Sequence, residues 1–198
     1  VRIQMRIAVV GNGPSALGKG ADIDACDFVV RTGQFKKVFK KGSAGKCMDA
    51  WAWPGYAKNN NLVPKQRHFA IWVTCPWKWH KGAHRKQNVS RIAITRKLGV
   101  RAIPLERYLL VRHWVRHFSD RGKDLPPTTG LLAIAMAVRM EPESLLLCGF
   151  DAGKPYADGR AFSTGLHDYY AERKMLEALN RGVWLGDSCD IEIDWRTE

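Results

Sequence analysis

The chain has 198 residues, 45% of them hydrophobic and 26% charged, with a formal net charge of +13. That length fits one domain with a sizeable core, and the composition is that of a soluble globular protein. No apolar stretch reaches the ~18 residues that a membrane-spanning helix needs, so such a helix is excluded.

Residues 6–10 read as a strand whose apolar run, Ile7 to Val10, goes straight into Gly11-Asn12-Gly13-Pro14-Ser15. Residues 14–20 read as a short helix, and 27–31 as a second strand ending in Arg31-Thr32-Gly33-Gln34. Strand, glycine turn, helix and strand are how an α/β sheet builds an anion-binding crevice. Gly11 and Gly13 can take positive φ and let the backbone approach a phosphate. Asn12 and Ser15 add neutral polar contacts. A Lys- and Gly-rich loop follows over 36–46, and 51–66, with WAWPGY and NNNLVPK, reads as turn-rich. Ala70 to Thr74 reads as a strand. Residues 76–91 are basic and aromatic, with Trp77, Trp79, His80 and His84.

Residues 105–118 read as a helix, with Leu105, Leu109, Leu110, Val115 and Phe118 near helical spacing. After Pro126-Pro127-Thr128-Thr129-Gly130, residues 131–140 read as a buried helix and 145–150 as a fully buried strand. Residues 151–164 form a polar loop. Residues 167–180 read as an amphipathic helix with Leu176 and Leu179 inward, and Val183 to Leu185 as a last short strand. Strands alternating with helices predict a Rossmann-like α/β domain over 1–198: a mostly parallel sheet with helices on both faces.

Several chemistries are disfavoured. Ala16 takes the place of the third glycine in GxGxxG. Arg31 lies about 20 residues on, where an adenosine ribose wants a carboxylate, so NAD is not expected. The GxxxxGK[ST] pattern is absent. The five cysteines (26, 47, 75, 148 and 189) show no metal-ligand spacing. With no secretory leader visible, reduced thiols in a cytoplasmic protein are the expectation. His80, His84, His113 and His117 include i, i+4 pairs but no HExxH glutamate, so no metal is expected. The charge is concentrated: residues 58–124 hold 16 Lys and Arg against Glu106, Asp120 and Asp124. Such a field favours an anionic partner, whether nucleic acid, anionic lipid or acidic glycan. Trp51, Trp53, Trp72, Trp77 and Trp79 read mainly as packing residues, with sugar or base stacking as the alternative.

Ligands of an open parallel sheet sit beyond the carboxyl ends of its strands. Three segments should meet there: Gly11 to Ser15 with Arg31 to Gln34; Thr128-Thr129-Gly130 at a helix start, where free N–H groups bind anions; and Gly149-Phe150-Asp151 with its loop and His167. This set resembles the sialyltransferases, glycosyltransferase families 29 and 42. Their long motif is similar to Gly11–Ser15 followed by Ile23-Asp24, Asp27-Phe28-Val29 and Arg31. Their small motif is similar to Thr128-Thr129-Gly130, a hydrophobic helix, and Cys148-Gly149-Phe150-Asp151. Their last motif, His-x4-Glu, is similar to His167 and Glu172. The resemblance covers residues 6–35 and 126–180.

The resemblance implies a sialyltransferase-type GT-A variant that moves a sugar from a CMP-activated donor to an acceptor hydroxyl. Such enzymes invert the anomeric centre and need no metal or other cofactor. It implies that Gly11, Asn12, Gly13, Ser15, Arg31, Gln34, Thr128, Thr129, Gly130 and Asp151 hold the CMP donor. It implies His167 as general base and Tyr156 as donor to the leaving phosphate. Glu172 is expected to brace the helix or orient a neighbour, not to transfer a proton. One departure stands out: the family's Arg-x-Asn becomes Arg31-Thr32-Gly33, which leaves the donor sugar open among sialic acid, Kdo and similar sugars. Residues 36–125 match no motif and are expected to carry the acceptor surface or a lid. The acceptor would be an anionic glycan or glycolipid, with peripheral membrane contact. The alternatives are a glycosyltransferase-like enzyme acting on nucleic acid, and a non-catalytic nucleic-acid-binding protein on the same scaffold.

Overall fold

The computed structural model describes residues 5–33, 43–54, 70–74, 99–121, 124–151 and 166–196. Nine strands are described: β1 (Arg6–Val10), β2 (Phe28–Thr32), β3 (Ala50–Trp53), β4 (Ala70–Val73), β5 (Val100–Ala102), β6 (Ser144–Cys148), β7 (Val183–Trp184), β8 (Asp187–Ser188) and β9 (Glu192–Trp195). Seven of them form one sheet in the order β5-β4-β3-β2-β1-β6-β9. Every neighbouring pair in it is parallel. β7 and β8 form a separate antiparallel hairpin. The helices are α1 (Gly20–Asp24), α2 (Leu105–Phe118), α3 (Thr129–Val138) and α4 (Tyr169–Asn180), with a 3₁₀ turn over Pro14–Ala16.

The central strands are apolar at nearly every position because both sheet faces are covered. Ile7, Val9, Val30, Leu145 and Leu147 join a cluster with residues of α2, α3 and α4. Ala8, Val10, Val29, Leu146 and Cys148 face the other way, with Ala16 and Ile23. All of Leu131–Ala137 in α3 is buried, and the helix packs over β1, β2 and β3. The predicted α/β class, with a parallel sheet and helices on both faces, is the observed one. The middle of the chain, expected to hold an acceptor surface or lid, supplies β3, β4, β5 and α2 to this same layered structure.

Several expectations need correction. The helix expected over 14–20 is a 3₁₀ turn and then α1, separated at Gly18, whose φ of +79° takes the chain out of helical geometry. Residues 51–53, expected to be turn-rich, lie in the interior strand Ala50–Trp53 with all four of its side chains buried. α2 has the expected bounds, but it buries Tyr108, Val111 and Val115 and leaves Leu109 and Leu110 exposed. Val183–Trp184 is not the last strand: β9 follows and adds to the sheet edge. Trp51, Trp53 and Trp72 are core residues, and Trp51 stacks on Trp53 with centroids 4.8 Å apart. Trp77 and Trp79 lie outside the described residues.

Strands β1 to β5 step outward on one side of β1, while β6 and β9 lie on the other. The chain therefore reverses its direction of winding between β1 and β6. Beyond the carboxyl ends of these two strands is where a sheet of this kind presents its crevice.

Candidate active site

The turn after β1 is laced to the end of β6. The Gly11 amide donates to the Cys148 carbonyl at 2.8 Å, and the Gly13 amide to the Gly149 carbonyl at 2.9 Å. A Cβ on Gly11 would lie 2.2 Å from the Gly149 oxygen, and one on Gly13 would lie 2.1 Å from Asp151 Oδ2. The two glycines are thus required by close approach of protein to protein. Neither has positive φ; Gly33 and Gly149 do. Neither turn glycine uses the positive φ open to it; what each supplies is room for the facing backbone and side chain. Ser15 completes the lacing: its amide and hydroxyl both donate to Asp151 Oδ2, at 3.0 and 2.9 Å, and its Oγ accepts from the Gly149 amide. With 3% exposure, Ser15 holds the turn rather than facing outward. Cys148 is fully buried beneath this turn, where desolvation pushes its thiol up to about 12 and keeps it neutral.

Two side chains at these tips keep a free acceptor. Asn12 donates from Nδ2 to the Thr32 carbonyl at 3.2 Å, while its buried Oδ1 has no partner among the described residues. Asp151 uses Oδ2 for Ser15, and its buried Oδ1 has no partner among the described residues. A buried acceptor left unmade is unfavourable by about 1–3 kcal/mol, so each oxygen has a lone pair to offer to water or to a ligand donor. Gly33 follows Thr32, and a Cβ there would come within 3.3 Å of Asn12 Nδ2.

Arg31 does not belong to this group. It is 1% exposed, and it donates to the backbone carbonyls of Ala44 (2.8 Å) and Cys47 (2.8 Å). Burial lowers its guanidinium to about 10, with the nearby Asp24 opposing that shift. Its side chain knits the 44–47 segment to β2, a correction to its expected place at the ligand. Gln34 and Tyr156 lie outside the described residues.

The remaining pieces come from α3 and α4, whose first turns reach the same edge. Thr128 is the N-cap of α3, and its Oγ1 accepts from the Leu131 amide at 3.1 Å. The same hydroxyl donates to Glu172 Oε2, and the Thr128 amide donates to Glu172 Oε1, both at 2.6 Å. Glu172 is buried on α4, and desolvation pushes its carboxyl up to about 8, with Asp168 nearby adding to the rise and the Thr128 hydrogen bonds opposing it. Thr129 and Gly130 supply the first two amides of α3, and neither has a partner among the described residues. Such amides at a helix start attract anions. The Phe150 ring lies over Gly130, where a Cβ would meet Phe150 Cε1 at 2.7 Å.

His167 precedes the α4 N-cap, Asp168. Its Nδ1 lies 2.7 Å from the Pro126 carbonyl. A carbonyl only accepts, so Nδ1 carries a proton, and in the neutral ring Nε2 then holds the lone pair. That is the tautomer a general base requires. Asp168 accepts from the Ala171 amide and from the Ser119 hydroxyl, which fixes the start of α4 beside it.

No family model matches this chain, and no curated protein matches its sequence. Solved structures do match. A mammalian sialyltransferase superposes with a TM-score of 0.65 at 17% identity, over 96% of this chain and 68% of that one. The monofunctional alpha-2,3-sialyltransferase Cst-I from Campylobacter jejuni gives 0.58 at 16%, over 98% and 76%. The sialyltransferase CstII from the same organism, in complex with the substrate analogue CMP-3FNeuAc, gives 0.54 at 18%, over 89% and 77%. The chain has the sialyltransferase fold.

Within this sialyltransferase fold, a continuous run of contacts brings the three expected segments together. Asn12 touches the end of β2, Gly13 meets Asp151, Phe150 covers Gly130, Thr128 binds Glu172, and Pro126 binds His167. The sequence reading missed the Pro126 carbonyl, and it named Phe150 within Gly149-Phe150-Asp151 without a role for its ring. No residue-type signal marks a backbone carbonyl, and Phe150 sits inside an apolar run that reads as core. Glu172, expected to brace its own helix or orient a neighbour, instead holds the start of a different helix, α3, through Thr128.

Proposed function

We propose that this protein is an inverting, metal-independent glycosyltransferase that moves a sialic acid, Kdo or similar sugar from a CMP-activated donor to an acceptor hydroxyl. The observation that carries the reading is the 2.7 Å contact between His167 Nδ1 and the Pro126 carbonyl. A proton on Nδ1, held by Pro126, leaves the Nε2 lone pair at the sheet edge that also bears the unpartnered acceptors and free amides. His167 Nε2 takes the proton of the acceptor hydroxyl as its oxygen attacks the anomeric carbon and CMP departs. The transition state is oxocarbenium-like, with negative charge growing on the leaving phosphate. The free Thr129 and Gly130 amides suit that charge, since fixed donors need no reorganisation. Asn12 Oδ1 and Asp151 Oδ1 are acceptors and suit ribose hydroxyls or an exocyclic amine. Tyr156 is the proposed further donor to the leaving phosphate.

Support also comes from the neighbours: CstII was solved with CMP-3FNeuAc and with a trisaccharide acceptor and CMP, and the mammalian enzyme with a Gal-beta-1-3GalNAc derivative. The acceptor proposed here is anionic, because residues 58–124 carry 16 Lys and Arg against three carboxylates. The test is a thermal-shift panel of CMP, CDP, UDP, GDP and NAD, followed by CMP release from CMP-sialic acid and CMP-Kdo. CMP alone should raise the Tm, because a ligand that binds only the native state stabilises it. Slow CMP release without acceptor should follow. Retention on nucleic acid with no CMP effect would replace this reading by the non-catalytic one.

A further inference from the structure

We infer that Glu172 is a positioning residue for His167: it anchors the short strap, Pro126–Thr128, whose carbonyl orients that imidazole. The inference rests on the base assignment proposed above. His167 lies outside α4, one residue before its N-cap, so the helix's own hydrogen bonds do not hold its ring. The Pro126 carbonyl does, at 2.7 Å. Neither Pro126 nor Pro127 has an N–H group. The first backbone donor in the strap is therefore Thr128, and Glu172 takes it at 2.6 Å. The second carboxylate oxygen takes the Thr128 hydroxyl at 2.6 Å, so the contact is bidentate and directional.

The strap and the start of α4 are thus joined by two rungs. One is His167 to Pro126, the other Glu172 to Thr128, with buried Pro127 between them. A stability role alone does not call for a carboxylate here. Thr128 already caps α3 through the Leu131 amide, and a carboxylate is expensive to bury. Desolvation pushes the Glu172 carboxyl up to about 8 despite both hydrogen bonds. What the carboxylate adds is a fixed separation between the base and the α3 amides. Both are set from one point, since Thr128 immediately precedes Thr129 and Gly130.

The test compares Glu172→Gln, Glu172→Ala and Glu172→Asp in the full chain. Gln keeps the length, accepts from the Thr128 amide and donates to its hydroxyl. Asp keeps the carboxyl group but falls one methylene short. The first readout is the His167 Nδ1–H resonance by NMR, assigned with His167→Ala. It should persist in wild type and Glu172→Gln, and vanish into solvent exchange in Glu172→Ala and Glu172→Asp. The second is kcat per folded molecule. It should fall at least tenfold in Glu172→Ala and return to within about threefold of wild type in Glu172→Gln, with donor KM moving less than kcat. A protected resonance and unchanged kcat in Glu172→Ala, with only a lower Tm, would overturn the inference. If Glu172→Ala does not fold, a protected resonance in Glu172→Asp overturns it equally. If wild type neither binds CMP nor releases it, the proposed function fails, and the imidazole resonance still decides whether Glu172 orients His167.

Discussion

Replacing Gly11 by Ala tests whether the β1 turn is defined by close packing or by backbone conformation. The added Cβ would sit 2.2 Å from the Gly149 carbonyl oxygen and 2.8 Å from its carbon. Ordinary contact needs more than 3.4 Å, so one strand tip must retreat by over 1 Å, and both contacting groups are backbone. That movement breaks Gly11 to Cys148 and Gly13 to Gly149, two bonds of 2.8 and 2.9 Å. Each is worth about 1 kcal/mol net, and overpacking adds about 1–3 kcal/mol. The sum is about 3–5 kcal/mol, or a Tm drop of roughly 6–20 °C for a chain of this size. Two controls separate the causes. Gly18→Ala has open space but φ +79°, so it should lose only the left-handed penalty of about 1–2 kcal/mol. Gly99→Ala has open space and no positive φ, so it should be neutral or slightly stabilising. Thermal and urea unfolding of the three variants give the ranking. If Gly11→Ala is no worse than Gly18→Ala, the packing argument is refuted.

His167→Ala should lower transfer at least tenfold while CMP affinity, read by calorimetry, stays within about twofold; intact turnover would place the base elsewhere. Asn12→Ala should weaken CMP binding. Arg31→Lys should leave CMP binding unchanged yet lower the Tm, because a lysine cannot serve both the Ala44 and Cys47 carbonyls in the planar geometry they now receive. The reverse pattern would restore Arg31 to the ligand edge. The Glu172 carboxyl, pushed up to about 8, favours the folded state most when protonated. Wild-type stability from this group is full below the unfolded value of about 4.3 and is lost as pH rises through about 8. The stability of Glu172→Gln relative to wild type should therefore climb between pH 4.5 and 8.5 and then level off, as followed by urea unfolding across that range. A flat difference would show that the carboxyl titrates normally.

Sequence patterns revealed elements where both local preference and burial agreed. β1, β6 and α3 are long apolar runs, and α4 carries Leu176 and Leu179 on one stripe. β3 was hidden because Ala-Trp-Ala-Trp is short, shows no alternation in an interior strand, and runs into Pro54-Gly55. β5 and β9 were hidden because edge strands carry charge: Arg101 in one, Glu192 and Asp194 in the other. On α2 the length was readable but the inward face was not, since Leu109 and Leu110 look like core and Tyr108 does not. At the site, Gly11 to Ser15, Thr128 to Gly130 and His167 were legible as residue types in order. What they touch was not. Ser15 and Arg31 look like ligand contacts in sequence, and only their partners, Asp151 and the 44–47 backbone, reveal them as internal ties.

The tie between Ser15 and Asp151 spans 136 residues of chain. Closing so long a loop is entropically unfavourable, and contacts of such sequence separation form slowly. The glycine turn leaves the ribosome well before β6, and it stays unfinished until β6 has been made and docked. Nucleotide capture by that turn would then report complete assembly, and a nascent chain halted before residue 144 would hold no rim on which a nucleotide could settle.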